Sequence, residues 1–477
     1  MKYKSTLGGI EPVPFDQAIL EGFAADGGLF VPETIPRFSP RELQNMATME
    51  YLELAETILK KFIDPEIIPA DDLRELLNNS FAGFESNEII PVVRFGSSNL
   101  FIQELFHGPT LSFKDIAMGF LINCMDYFLA RKNEKLSLIL ATTGDTGPAA
   151  AWAAAGKDTL ECWPLYPKGM ISEEQERQMT TLEADNVHPV GVTGCKNGGD
   201  DLDVVVANLF GDGQLKKELK LSSVNSINWC RVMVQTIHYF HGYFKVAEDV
   251  GEEVVFSVPA GAFGNLCAGF IARSMGLPVK KFVCATNDNG TLYRVFEKGY
   301  LSQEELITTC SSAIDILVPY NFWRFLYFNC AGDTELLNDF IKEFNEHGLL
   351  RFPADLWKQF RTGFVSTTIS DEETLATIAT VYAQDAYLLD PHGAVAVAAA
   401  WNCQDSWSQQ DKVVCLATAH PAKFPDVIGQ VFHRIPGLKL TTTHPSIEAA
   451  RNRFHHLRTC SYDVLEPALV RAIRTRL

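Results

Sequence analysis

From about residue 95 onward, short apolar runs alternate with glycine-bearing turns and with stretches whose apolar positions recur at the helical period. A short, wholly apolar run suits a strand buried on both faces, and a helical recurrence puts the apolar side chains on one stripe, so the alternation predicts a parallel α/β sheet. The predicted strands are Leu100–Glu104, Leu136–Ala141, Leu160–Tyr166, Val187–Val192, Glu253–Val258, Lys280–Ala285 and Val413–Ala417. Helices are predicted over 115–131, 147–156, 172–184, 201–219, 231–248, 264–275, 372–387 and 393–402. Ser172-Glu173-Glu174-Gln175 has the form of a capping box, in which the Ser oxygen and the Gln side chain each satisfy a backbone donor, and it fixes one helix start. Residues 1–94 break the pattern. They hold a turn-rich piece, Ala25–Pro32, and helical periods around 40–61 and 71–80, with no strong alternating strand series. The expected organisation is a mostly helical N-terminal domain over 1–94 and two parallel-sheet lobes, 95–245 and 246–477, free to exchange segments. The last piece, Val464–Leu477, reads as an amphipathic helix with Arg471, Arg474 and Arg476 outward.

Length agrees, since 477 residues suggest about three domains or lobes. Hydrophobic residues at 47% and charged residues at 21% are ordinary globular values and exclude disordered, collagenous and coiled-coil chains. A net charge of −18, with no basic stripe before the last 27 residues, argues against a nucleic-acid partner, because phosphate neutralisation needs clustered Lys and Arg. Eleven cysteines stand singly, without the spacing of a zinc site, so buried thiols in a reducing cytoplasm and no metal are expected. No run reaches the roughly 18 apolar residues of a membrane span, and the start MKYKSTLGGIEPV lacks the apolar segment of an export signal.

Ligands of open α/β sheets sit at the carboxyl ends of strands, where helix N-termini present free N–H groups. Four segments are predicted to lie there. The first, QELFHGPTLSFKD at 103–115, sets Lys114 among Leu111, Phe113 and an apolar helix start; an ordinary helix-start lysine is the plainer alternative to a Schiff-base lysine. The second, Ala141–Gly147 (ATTGDTG), offers hydroxyls and consecutive N–H groups to a carboxylate or phosphate, or else is a simple N-cap turn. In the third, SVPAGAFGNL at 257–266, Gly261 and Gly264 let a backbone approach a monophosphate, although a tight turn would look the same, and neither a Walker A loop nor G-x-G-x-x-G is present. The fourth, VCLATAHPAKF at 414–424, ends a strand in Thr418, which could hydrogen-bond at a pocket floor or simply close the strand. Together they supply what pyridoxal phosphate requires: a lysine for its aldehyde, a phosphate cup, a partner for the ring nitrogen and an anion site for an amino-acid carboxylate.

These segments resemble threonine synthases, pyridoxal-phosphate enzymes of the tryptophan-synthase β-subunit type of fold. The resemblance rests on Tyr3–Thr6 (YKST), Asp26–Glu33 (DGGLFVPE), HGPTLSFKD, ATTGDTG, Asn225–Trp229 (NSINW) with Arg231, VPAGAFGN, Asp390–Ala394 (DPHGA) and LATAHPAKF, and so runs along essentially the whole chain. It implies that Lys114 carries the cofactor and shuttles protons, that Gly261, Ala262, Phe263, Gly264 and Asn265 hold the cofactor phosphate, and that Thr418 meets the pyridine nitrogen. It implies further that Thr143, Gly144, Asp145 and Thr146 grip the substrate carboxylate, and that Asn225, Ser226, Asn228 and Arg231 lie near the substrate, with the Arg231 fork suited to its phosphate. His392 and His420, beside prolines in turns, read as structural. The implied reaction converts O-phospho-L-homoserine and water into L-threonine and phosphate, in a monomer or homodimer.

The sequence departs from the family's usual pattern at four places. Ala262 stands for Asn, Thr143 for Ser, Pro148 for Ser and Gly290 for Asp. Each leaves cofactor binding possible and leaves substrate preference open. One rival is a threonine-synthase-like phospholyase that releases 2-oxobutyrate, ammonia and phosphate from O-phosphothreonine or phosphohomoserine. The close match of Leu416–Phe424 and of DPHGA to the synthase pattern favours the synthase. A catalytically silent binding protein is the other rival, and intact Lys114, Thr418 and Gly261–Asn265 argue against it.

Overall fold

The computed structural model describes the chain apart from residues 87, 97, 434–441 and 477. Two sheets dominate it. The larger has the strand order Phe364–Thr368, Val279–Thr286, Val254–Pro259, Lys412–Ala417, Leu100–Glu104 and Val92–Arg94, parallel throughout except for the last, an antiparallel edge. The smaller is all parallel, in the order Thr459–Ser461, Val190–Thr193, Leu160–Pro167, Leu136–Ala141 and Leu221–Ser222. Strands Val254–Pro259 and Lys412–Ala417 are buried at every position, as expected where helices cover both faces of a parallel sheet. Leu100–Glu104 precedes the whole smaller sheet in sequence yet pairs inside the larger one, so the chain exchanges a segment between lobes.

Helix Trp229–Val246 is buried around nearly its whole circumference and packs against helices Lys114–Lys132 and Gly264–Ser274. Asn228 caps it by accepting from Cys230 N at 3.1 Å. The N-terminal region wraps this helix. Tyr3 and Phe62 pack on Trp229 at ring-centroid distances of 6.0 and 5.9 Å, Tyr3 OH donates to Phe62 O, and one apolar core runs from these residues into both lobes.

The predicted strands all form, with ends displaced by a few residues at most, and the Ser172 capping box closes in both directions, at 3.1 and 3.0 Å. Four expectations need correction. The helix predicted over 201–219 is two, Gly199–Gly211 and Gly213–Glu218, because Asp212 turns its carboxylate onto Gln214 N and Leu215 N and starts a new helix. The helix predicted over 172–184 stops at Thr180. The N-terminal stretch includes a short antiparallel pair, Tyr3–Ser5 with Phe30–Pro32, and the helical period around 40–61 is split into Pro40–Met46 and Tyr51–Leu59. Strand Phe364–Thr368 and helices Tyr320–Asn329 and Thr334–His347 were not among the predicted elements. The C-terminal helix, Leu465–Arg474, does bury Leu465, Leu469 and Ile473 and expose Arg471 and Arg474.

Candidate active site

Strands Leu136–Ala141, Val254–Pro259 and Lys412–Ala417 end at one cavity, lined by Ala141, Pro259 and Thr418. Lys114 enters it from the first residue of helix Lys114–Lys132. The chain reaches that point through Leu111, whose φ of 60° is left-handed, and is held there by Phe113 N donating to Thr418 O at 2.8 Å and His420 N to Leu111 O at 3.0 Å. Two of the sequence segments, those of Lys114 and Thr418, are thus zipped together.

The ammonium of Lys114 lies 3.9 Å from Asp145 Oδ2, and Asp145 Oδ1 meets the fully buried Lys423 at 2.7 Å and accepts from Gln175 Nε2 at 3.0 Å. Burial lowers the Lys114 pKa to about 8; Asp145 opposes this, and Arg231 and Lys423 add to it. Burial works against the Asp145 carboxylate, but Lys423 and Lys114 together hold it far below the usual range. Asp145 is therefore a fixed negative charge that orients two lysines. Next in chain to Lys114, Asp115 accepts from Thr110 N at 2.8 Å and Thr110 Oγ1 at 2.6 Å, and burial raises its pKa to about 6.

Across the cavity, strand Val254–Pro259 turns through Ala260–Phe263 into helix Gly264–Ser274, whose N-terminus faces the cavity. Phe263 takes a left-handed φ of 65°, and its ring is locked against Phe296, Phe322 and Phe325. A Cβ on Gly261 would fall 2.9 Å from Ile314 Cα, and one on Gly264 3.3 Å from Asn321 Nδ2. Both positions exclude a side chain because the turn packs directly on Ile314 and Asn321, and the same turn lines the cavity. Asn265 Oδ1 accepts from Tyr239 OH and pairs with His238 Nε2, both at 2.9 Å, while its Nδ2 is buried without a partner. An orphaned donor beside a helix N-terminus calls for an anion, and a phosphate meets both needs.

The other predicted residues divide. Thr143, Asp145, Thr146, Asn225, Ser226 and Arg231 line the same cavity. Arg231 is buried, donates from Nη1 to Val224 O at 2.8 Å, and leaves Nε unpartnered; burial lowers its pKa to about 10. Gly144 does not line the cavity. Its φ of 126° and the Gln175 side chain packed over it make it the hinge that lets Gln175 reach Asp145. Asn228 is a correction: its Nδ2 donates to Ile19 O and Ser223 O and its Oδ1 caps Cys230, so no polar atom is left for a substrate. His392 does reach the cavity wall, with Nδ1 bonded to Asp390 at 2.9 Å and Nε2 accepting from Ala313 N at 3.1 Å; both nitrogens are committed to structure. His420 faces a separate cavity with His107 and His444.

A model described as "Threonine synthase N terminus" matches residues 2–81, one described as "Pyridoxal-phosphate dependent enzyme" matches 88–337, and one described as "Threonine synthase, C-terminal" matches 393–466. "Threonine synthase-like 2" of Xenopus laevis is 38% identical over 464 residues, covering 96% of this chain and 95% of its own. The threonine synthase of Eremothecium gossypii is also 38% identical, over 90% of this chain and 88% of its own. The chain belongs to the threonine synthase family. A crystal structure of pyridoxal-phosphate-bound threonine synthase from Brucella melitensis superposes on this family member with a TM-score of 0.90, at 34% identity, covering 100% of this chain and 99% of that one. Pyridoxal phosphate is the cofactor of this threonine synthase relative, and the chain is a lyase of that class.

Sequence reasoning missed Lys423, Gln175, Asp200 and Asp203. Lys423 lies within LATAHPAKF, but nothing in a strand-end turn signals that its ammonium returns to Asp145. Asp200 lies just before the helix predicted over 201–219 and Asp203 lies in its first turn, and nothing local signals that this helix docks over the cavity.

Proposed function

We propose that this protein is a threonine synthase that converts O-phospho-L-homoserine and water into L-threonine and phosphate, as a cytoplasmic monomer or homodimer. The observation that carries the reading is the meeting, in one cavity, of a depressed lysine, a glycine-built phosphate cradle and a second buried cation, Arg231, with an unpartnered Nε. In this reading Lys114 takes the aldehyde, Gly261, Ala262, Phe263, Gly264 and Asn265 hold the cofactor phosphate, and Thr418 meets the ring nitrogen. Bound there, pyridoxal phosphate supplies an electron sink for negative charge at the substrate α-carbon. The Lys114 amine, kept close to its neutral form by burial, removes the α-proton and, once it has passed that proton on, a β-proton as the Cγ–O bond breaks and phosphate leaves. The two protons end on Cγ and, after hydration, on Cα, while Asp145 and Lys423 hold the amine on line. Hydroxyl and N–H donors of Thr143 and Thr146 bind the substrate carboxylate; Gly144 and Asp145 shape that loop. Arg231, with Asn225 and Ser226, receives the substrate phosphate, and Asn228 serves it indirectly by capping the helix that bears Arg231. Division of the chain into 1–94, 95–245 and 246–477 belongs to the same proposal; the first boundary accords with a family match that ends at residue 81 and another that begins at 88, and the latter runs on to 337 across the second boundary. Eleven free cysteines accord with a reducing compartment.

The purified holoenzyme should turn phosphohomoserine into equal amounts of threonine and phosphate and leave O-phosphothreonine largely untouched. Dominant 2-oxobutyrate from either substrate would show a phospholyase instead.

A further inference from the structure

Two carboxyl groups in the cavity have no part in the reaction as described. Asp200 and Asp203 lie three residues apart on helix Gly199–Gly211 and so on one face of it, and both line the cavity. The helix start is pressed against the carboxylate-binding loop: a Cβ on Gly199 would sit 2.6 Å from Thr143 Cγ2. Asp200 Oδ2 accepts from Leu317 N at 3.3 Å, which ties this helix to the segment beside the phosphate cradle. Asp203 Oδ1 accepts from Asn225 Nδ2 at 3.5 Å, and its other oxygen has no hydrogen-bond partner among the described residues. Neither acid forms an ion pair among those residues, while the same cavity holds the buried, unpartnered Arg231 Nε and Asn265 Nδ2 that mark it as a site for polar ligands.

We propose that Asp203, with Asp200 beside it on the same helix face, orients and deprotonates the water that adds at Cβ, and so decides whether the reaction ends in hydration or in elimination. The proposal rests on the synthase reading. In the step, a bond forms between the water oxygen and Cβ of the dephosphorylated four-carbon substrate as one O–H bond breaks. The released proton goes to the Asp203 carboxylate and from there to the departing phosphate. The electron pair displaced from Cβ passes to Cα, which takes its proton back from the Lys114 ammonium. No oxidant or reductant is needed.

The surroundings suit a base that works near neutrality. Burial raises the Asp203 carboxyl to about 7, with Asp200 on its own helix adding to the rise, and burial raises Asp200 to about 6. Tyr320, from helix Tyr320–Asn329, Arg231, from helix Trp229–Val246, His392, from helix Pro391–Asn402, and Lys114 and Asp145 are the other titratable groups that share the cavity wall with them. A general base is most effective when its pKa lies near the working pH.

The test uses holoenzyme and phosphohomoserine, with phosphate, threonine and 2-oxobutyrate measured in the same reaction. Asp203→Asn should still release phosphate, but its ratio of threonine to 2-oxobutyrate should fall about a hundredfold or more. Asp203→Glu should restore much of it. In the wild type that ratio should rise with pH through about 7, as Asp203 ionises, and in Asp203→Asn it should be flat. Cofactor absorbance equal to wild type confirms that each variant is folded and loaded; Asp200→Asn, which should lower the ratio less, serves if Asp203→Asn does not load. A wild type that makes threonine and variants that keep its product ratio would overturn this proposal alone. A wild type that makes only 2-oxobutyrate would overturn the synthase reading and this proposal with it.

Discussion

Lys114 gains its chemistry from neighbours that the sequence keeps far apart. An amine accepts an aldehyde only when unprotonated, and burial brings Lys114 from the ordinary lysine value to about 8. Uptake of pyridoxal phosphate by the cofactor-free protein should therefore quicken as pH rises through about 8 and level off above it; a midpoint near the ordinary lysine value would contradict the buried setting. Asp145→Ala removes the group that favours the charged form, so the midpoint should move to lower pH. The same substitution leaves the fully buried Lys423 without its carboxylate, which should cost about 3–5 kcal/mol in urea unfolding, the usual penalty for breaking a buried pair. Gly290 suits its turn: its φ of 58° favours glycine, and a Cβ there would press on Thr368 Cγ2 at 3.1 Å.

At the level of elements, the strand–turn–helix units were legible because wholly apolar strands and glycine turns are local signals. Leu136–Ala141 and Leu100–Glu104 form at the predicted bounds. The same holds for the site: the four strand-end segments converge as their positions in an open sheet require. What could not be read was anything decided by partners distant in sequence. Asn228 looked available to a substrate, but Ile19 O, more than two hundred residues earlier, claims its amide. Asp200 and Asp203 look like surface acids at the start of a helix until that helix docks over the cavity. Short strand Phe364–Thr368 gains its place only by pairing with Val279–Thr286. The cradle offers a direct check on element geometry. Gly261→Ala forces its Cβ against the Ile314 backbone, so cofactor affinity, read from visible absorbance, should drop at least tenfold, or about 1.4 kcal/mol. Unchanged affinity would mean that the turn does not approach the phosphate.

Across the whole molecule, the N-terminal region supports the site, and its Phe23 lines the cavity itself. Tyr3 and Phe62 cover Trp229, Asn228 bonds to Ile19 O, and the buried Arg324 donates to Phe30 O at 3.0 Å and to Asn321 Oδ1 beside the cradle. Removing residues 1–31 would uncover the helix that bears Arg231 and loosen Arg324. The truncated protein should fail to retain cofactor through gel filtration, whereas retention equal to the full chain would show the region to be dispensable. The central claim joins elimination at Cγ to hydration at Cβ, and oxygen-18 water tests both steps at once. Phosphohomoserine turned over in labelled water should yield threonine carrying one labelled oxygen at its β-hydroxyl and phosphate carrying none, because carbon–oxygen cleavage leaves all four phosphate oxygens unexchanged. Label in the phosphate, or 2-oxobutyrate in place of labelled threonine, would contradict the account.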